Sequence, residues 1–316
     1  MTLARSTRLD VQPRGPHSAD MKRLSHRLKS FAPLLFSLAL AAPALAQSSP
    51  KRVLIVGQGP DGHPYGAHEF MPGARVVERL LASQKSIVTT VVKADDPWPD
   101  GPVLLDKADA VVLLVTQGSE WMQVDPLRWA AIKRLAARQG GIVALHWSVG
   151  AKDEKYIPGQ LQLLGGTRGG SWRKYTVVTN DVKLLNTQHP TLTGLKDFRV
   201  YDEFYYKLEL AKSSPGFTPL MSTHLDDNDE TICWAFERPD HGRSFGFVCV
   251  HFHKNWERED YRRLAVQATL WSLKLPVPKE GVSVDIDPKV LELPPPPPAE
   301  KKKKSKTETT ATNAKP

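Results

Sequence analysis

The chain has 316 residues, 41% of them hydrophobic, and a formal net charge of +9 at pH 7, which is enough for one large domain with a sizeable core. The charge sits at the ends: residues 1–47 hold seven Lys/Arg against two Asp/Glu, and residues 289–316 hold seven against three, so residues 48–288 balance to zero. A nucleic-acid-binding domain carries its basic footprint on the folded part, so a nucleic-acid partner is not expected, and the basic C-terminal end reads as a solvated tether.

In chain order, residues 1–20 are polar and patternless. From Met21 a basic stretch with Lys22, Arg23, Arg27 and Lys29 leads into an apolar run over 31–42, and Ala44-Leu45-Ala46 offers a small-x-small cleavage site. These are the three regions of a secretory signal peptide over 21–46, with Met21 an alternative start to Met1. The apolar run is too short to anchor a chain in a bilayer. The mature protein is therefore expected to be exported, periplasmic or secreted, without a transmembrane span.

The unbroken apolar run over 52–57 reads as a strand buried on both faces. The loop over 58–70 is rich in Gly and Pro, yet it carries His63, His68 and Glu69. Val76, Val77, Leu80 and Leu81 then recur at helical spacing within 71–83. Further strands are expected at 87–92 and 110–115. Asp125-Pro126 caps and opens a helix through 137, which Gly140-Gly141 ends. Ile142 to Leu145 form another buried strand that runs into His146 and Trp147. This alternation predicts an α/β fold with a parallel sheet.

The second half is richer in strands, at 174–179, 198–208, 218–222, 231–236 and 244–253, before a last helix over 260–273. Residues 51–282 are read as one domain. The proline run 294–298 and the lysine run 301–304 lack an apolar face, and 288–316 is expected to be a disordered tail. No GxGxxG follows the first strand and no GxxxxGK[ST] occurs, so no nucleotide cofactor is expected.

Open parallel sheets place their chemistry beyond the carboxyl ends of the strands. His146 falls on that edge, as a ligand or acid/base group, or as a core histidine bonded to a carbonyl. The loop with His63, His68 and Glu69 opens at the same edge. On a strand, His251 and His253 would point to one face; the spacing suits a metal, an anionic or sugar substrate, or a structural pair bonded to backbone. Asp202 and Glu203 face opposite sides of a strand, and Glu203 is the chosen carboxylate.

His146, Glu203 and His253 are thus the candidate catalytic groups. His68, His146 and His251 are the candidate ligands of a divalent metal such as zinc. Trp147 and Trp256 adjoin the histidines and could floor a sugar site; Arg243 and Glu69 complete the candidate substrate contacts. Cys233 and Cys249 flank a turn centred near His241. A hairpin would set them opposite each other, as a disulfide or as two buried thiols.

Several segments, taken in order, resemble the ThuA-like (trehalose-utilisation) family over 51–282. They are Gly62-His63 with His68-Glu69, Gly140-Gly141 with Leu145-His146, the run Tyr201-Asp202-Glu203-Phe204-Tyr205-Tyr206, and Ile232-Cys233-Trp234. The last runs from Gly242-Arg243 to His251-Phe252-His253-Lys254-Asn255-Trp256. The resemblance implies a flavodoxin-like three-layer fold similar to class I glutamine amidotransferases, with a mainly parallel sheet and an antiparallel C-terminal hairpin. It also implies a small carbohydrate or modified sugar as substrate.

In such amidotransferases the residue ending this strand is a nucleophilic cysteine on a tight elbow. Here His146 holds that place, and both cysteines lie in other strands, so glutamine hydrolysis is not expected. The function expected is that of a hydrolase or lyase-type enzyme of carbohydrates, or of a non-catalytic carbohydrate-binding or sensor module on the same fold.

Overall fold

The computed structural model describes residues 49–296; the expected signal peptide and residues 297–316 lie outside them. The first half of the described chain alternates as expected. β1 (Lys51–Gly57) is buried from Val53 onward, and α1 (Phe70–Leu81) turns Ala74, Val76, Val77, Leu80 and Leu81 inward. β2 (Ile87–Lys93), α2 (Gly101–Lys107), β3 (Ala110–Leu114) and α3 (Gly118–Val124) follow. The short helices α2 and α3 have too few turns to show a period in the sequence. α4 (Pro126–Ala137) begins where the Asp125 carboxylate accepts the backbone N–H groups of Leu127 and Arg128. β4 (Gly141–Leu145) is buried throughout.

The second half holds α5 (Ile157–Leu164), β5 (Gly166–Thr167), β6 (Lys174–Leu184), β7 (Phe198–Tyr206) and β8 (Glu209–Leu210). It continues with β9 (Phe217–Leu225), β10 (Asn228–Glu237), β11 (Arg243–Phe247) and α6 (Glu259–Ser272). Nine strands form one sheet in the order β2-β1-β3-β4-β11-β10-β9-β6-β7, and β5 pairs with β8 in a separate ribbon. β2, β1, β3, β4 and β11 run parallel; β10, β9, β6 and β7 extend the sheet in antiparallel fashion. α1 packs on α6 over one face of the parallel part, and α2 packs on α4 over the other. This is a three-layer α/β fold. Among the described residues no helix is long and apolar enough to cross a membrane.

β11 joins the two halves. It lies parallel to β4 with Phe247 opposite Leu145, so both strands deliver their next residues to one edge. The strand ends at Phe247 rather than running to His253: the Val248 N–H still donates to the Ile232 carbonyl of β10, but the N–H groups beyond it leave the ladder. Those of Val250 and His251 donate to the buried Asp202 carboxylate instead, at 2.9 and 3.1 Å. The β10/β11 register puts Cys233 opposite Phe247, not Cys249, and both cysteines are buried free thiols.

The fold also continues past residue 282. Pro288–Leu291 form a 3-10 turn, and the Pro294 carbonyl accepts the Tyr65 hydroxyl at 3.1 Å. These residues lie against the domain, inside the stretch expected to be tail.

Close backbone approach fixes the start of α3 against the turn after β4. A Cβ on Gly118 would sit 2.3 Å from the Ser148 carbonyl oxygen and 2.6 Å from its Cα. Gly118→Ala is expected to cost about 2 kcal/mol, as overpacking against backbone does, read as a lower urea midpoint at unchanged slope.

Candidate metal centre

His146 follows β4 directly and takes a left-handed backbone, φ 51°. Non-glycine residues rarely adopt that conformation, and it turns the imidazole up from the sheet edge on a tight elbow. The Ser148 hydroxyl braces the elbow by accepting the Val115 N–H at 2.8 Å. Nδ1–H of His146 donates to the Val248 carbonyl at 2.7 Å, which leaves the Nε2 lone pair free.

That lone pair faces a crowd. His68 Nε2 lies 2.9 Å away, Tyr205 Oη 3.0 Å, His251 Nδ1 3.1 Å and Glu203 Oε2 3.4 Å. Glu203 Oε2 is also 3.4 Å from His251 Nδ1. All four of His68, His146, Glu203 and His251 are buried, and their ligating atoms lie within 4.8 Å of one another.

Backbone pairing brings these distant residues together. The His68 N–H donates to the His251 carbonyl and the His253 N–H to the Gly66 carbonyl, zipping the first loop to the segment after β11. Glu203 and Tyr205 stand two apart on β7, hence on one face. A further layer fixes His68: its Nδ1–H donates to Asp61 at 2.6 Å, while the other Asp61 oxygen accepts from His63 Nδ1 at 2.7 Å. The His63 ring, partly open to solvent, lies 3.6 Å from the His68 ring centre to centre.

Burial sets the protonation states. It drives the His146 pKa well below the usual histidine value, and its neighbours His68 and His251 push the same way. Burial also lowers His68, with Asp61 pulling back. For Asp61 and Glu203 burial alone would raise the pKa. Hydrogen bonds outweigh it, from His68 and His63 in the first case and His251 in the second, and both carboxyls sit below their ordinary values. Burial raises the Tyr205 phenol well above its ordinary value, so it keeps its proton. Two neutral imidazoles thus turn lone pairs toward each other beside an ionised carboxylate. Such an arrangement can hold a metal ion, since ligands must bind deprotonated.

The family model described as trehalose utilisation (ThuA) matches residues 52–272. The chain belongs to the ThuA family. Among solved structures, a putative ThuA-like protein from Bacteroides uniformis superposes with a TM-score of 0.55 at 17% identity, covering 73% of this chain and 95% of that one. That likeness shows the shared α/β fold. Remoter likenesses include a cytoplasmic protein from Salmonella typhimurium, with a TM-score of 0.49 at 13% identity over 70% of this chain and 99% of that one. A glutamine amidotransferase from Thermotoga maritima gives 0.39 at 10% identity over 71% and 96%. Comparison with curated proteins gives no match.

Within the ThuA domain, His68, His146, His251 and Glu203 gather as one cluster. His253 does not join it. With β11 ended at Phe247 it shares no strand with His251, and its Nε2 donates to the Leu291 carbonyl at 3.1 Å. Trp256 is a core residue, 1% exposed, over Gly73 of α1. Arg243 starts β11 at the opposite edge of the sheet, bonded to Glu237 and to the Trp271 carbonyl. Glu69 accepts the Gly66 N–H and so shapes its own loop. Trp147 adjoins the cluster, packed on Tyr205 with ring centres 5.5 Å apart. Cys233 and Cys249 are fully buried, and burial raises both thiols well above their ordinary pKa, so neither supplies a thiolate.

Asp61, Tyr205 and Arg168 belong to the site without having been singled out as site residues from the sequence. Tyr205 was within reach of the period-two rule once Glu203 was chosen. Asp61 and Arg168 stand in irregular loops with no period to read.

The buried histidines dictate a pH response in metal-free protein. Unfolded histidine titrates near ~6.5, while His146 and His68 titrate lower when folded, and His189 is lowered to about 4 by its burial. The unfolded chain therefore binds more protons below about pH 6.5, and stability falls as pH drops. Urea midpoints after chelation are expected to fall between about pH 7 and about pH 5, and to fall less in His146→Gln; equal falls would refute this protonation scheme.

Proposed function

We propose that this ThuA-family protein is exported and uses His68, His146, His251 and Glu203 as a divalent-metal centre to act on a carbohydrate or modified sugar. The observation that carries the metal is the 2.9 Å approach of two Nε2 atoms whose Nδ1 positions are already committed to Asp61 and to the Val248 carbonyl. Neutral rings so placed oppose lone pair to lone pair, and a shared cation removes the conflict. The donor chemistry favours zinc, which takes imidazole and carboxylate ligands about 2 Å from a common centre. Four of the six donor separations, at 2.9 to 3.4 Å, fit that radius, and all lie within 4.8 Å. The family's description, trehalose utilisation, supports a sugar as substrate class. The basic, apolar and small-x-small pattern over residues 21–46 supports export.

Each side chain then has a definable task. Asp61 and the Val248 carbonyl hold the two rings in the tautomer that binds. A bound divalent ion supplies Lewis acidity toward a sugar oxygen or a water. Glu203, ionised beside the imidazoles, ligates or accepts a proton. Tyr205, kept protonated, offers a hydroxyl donor to a substrate oxygen. His63, at the rim and bonded to Asp61, is placed to exchange protons with solvent.

Equilibrium dialysis against zinc with elemental analysis is expected to give one ion per chain, lost in His146→Ala and His251→Ala. Asp61→Asn should weaken binding about 10- to 100-fold, as loss of an outer-shell partner does. Failure of the wild type to retain zinc or another divalent ion would refute the centre. Turnover of a sugar panel should disappear on chelation and in His146→Ala; binding without turnover in the loaded wild type would make the protein a sugar-binding module instead. N-terminal sequencing of protein recovered from the periplasm or medium is expected to begin at Gln47.

A further inference from the structure

Arg168 follows β5 and is only 7% exposed. Among the described residues its guanidinium makes neither a side-chain hydrogen bond nor an ion pair, and its Nε is buried without any partner. A cation taken out of water with no counter-charge is costly, so its retention here calls for a reason.

Its surroundings are aromatic. The guanidinium carbon lies 4.4 Å from the centre of the Tyr205 ring, 4.5 Å from Trp147 and 5.4 Å from Tyr175. Stacking of this kind holds the planar group by its faces and leaves the N–H edge unbonded. Among the described residues no carboxylate pairs with it: Glu203 is near enough for its charge to act on Arg168, but it points at His146 and His251. Arg173, on the same loop, adds a second positive charge that acts on Arg168.

The position is built rather than incidental. The Arg168 N–H donates to the Val149 carbonyl, and the Ala151 N–H donates to the Arg168 carbonyl. Between them Gly150 passes so close that a Cβ there would lie 2.2 Å from the Arg168 carbonyl oxygen. Arg168 is thereby fixed to the turn that carries His146. Tyr205 links the two from the other side, with its ring against Arg168 and its hydroxyl 3.0 Å from His146 Nε2. Tyr175 is opposite Tyr205 in the β6/β7 register, hence on the same face, and is 59% exposed. An unpaired guanidinium and an open aromatic ring therefore flank the histidine cluster together.

We propose that Arg168 anchors an anionic group of the substrate, so that the sugar handled here carries a carboxylate or a phosphate. The free N–H edge takes two oxygens of that group in the bidentate manner of guanidinium, and the sugar ring lies against Tyr175. The assignment rests on the proposed site for its place in the reaction, but binding tests it separately from the metal.

Calorimetric titration of zinc-loaded protein with glucuronate, gluconate and glucose 6-phosphate, and with glucose and trehalose as neutral comparisons, reads the preference directly. At least one acidic ligand is expected to bind about ten-fold or more tightly than both neutral sugars. The carboxylate and phosphate arms distinguish the two anions. Arg168→Gln should lose that margin while keeping wild-type zinc stoichiometry, and Arg168→Lys, which keeps the charge without the fork, should keep only part of it. Should Arg168→Gln fail to fold, an undiminished margin in Arg168→Lys refutes the guanidinium's role. Equal affinities for acidic and neutral sugars, no binding by any of them, or a margin that survives in Arg168→Gln overturns the proposal. A wild type that prefers acidic sugars yet holds no metal would sink the metal centre and leave this assignment standing; zinc binding without acid preference would do the reverse.

Discussion

The structure turns on two imidazole nitrogens, Nε2 of His68 and Nε2 of His146, held 2.9 Å apart. Each ring is pinned from behind through Nδ1, one by the Asp61 carboxylate and the other by a backbone carbonyl, so neither can turn its lone pair away. Burial removes the simplest relief, protonation, by lowering both pKa values. Everything around the pair follows from supporting that approach. β1 and β4 bring the two histidines to one edge, β11 carries His251 beside them, and β7 supplies Glu203 and Tyr205.

Holding the pair costs backbone strain. His68, His146 and Val250 all have positive φ, at 53°, 51° and 81°. For a β-branched residue such as Val250 that region is a genuine outlier. Asp202 compensates there: fully buried, it accepts the N–H groups of Val250 and His251 as well as the Tyr261 hydroxyl at 2.9 Å. Its own pKa is raised by burial in spite of these donors. A carboxylate that faces away from the cluster thus shapes the turn that aims His251 into it. Strain of this kind, offset by a dedicated partner, is characteristic of functional sites.

Much of this was legible in the chain. The strand patterns of β1, β3 and β4 predicted the parallel core, and the carboxyl-edge rule then singled out His146 and the loop holding His68. Glu203 came from the opposite facing of two neighbouring carboxylates on one strand. Where the reading missed, a tertiary bond had replaced a regular pattern. His253 reads as the partner of His251 only while β11 is assumed to continue, and the Asp202 carboxylate ends it. Trp256 stands close to His253 in the sequence, and Arg243 offers a guanidinium for a carboxylate or substrate oxygen; packing buried the first in the core, and the hairpin register sent the second to the far edge. Asp61 and Arg168 sit in loops, where only three-dimensional contact shows what a side chain does. The family resemblance was carried by scattered short motifs, and the cluster shows their common meaning: four of them each deliver a residue to one point.

An anomalous-scattering map from crystals of the zinc-soaked protein, collected at the zinc edge, tests the central claim most directly. The account predicts a single peak in the described domain within bonding distance of His68 Nε2, His146 Nε2, His251 Nδ1 and a Glu203 carboxylate oxygen. A map with no peak there, while the four side chains keep the same approach, would contradict it.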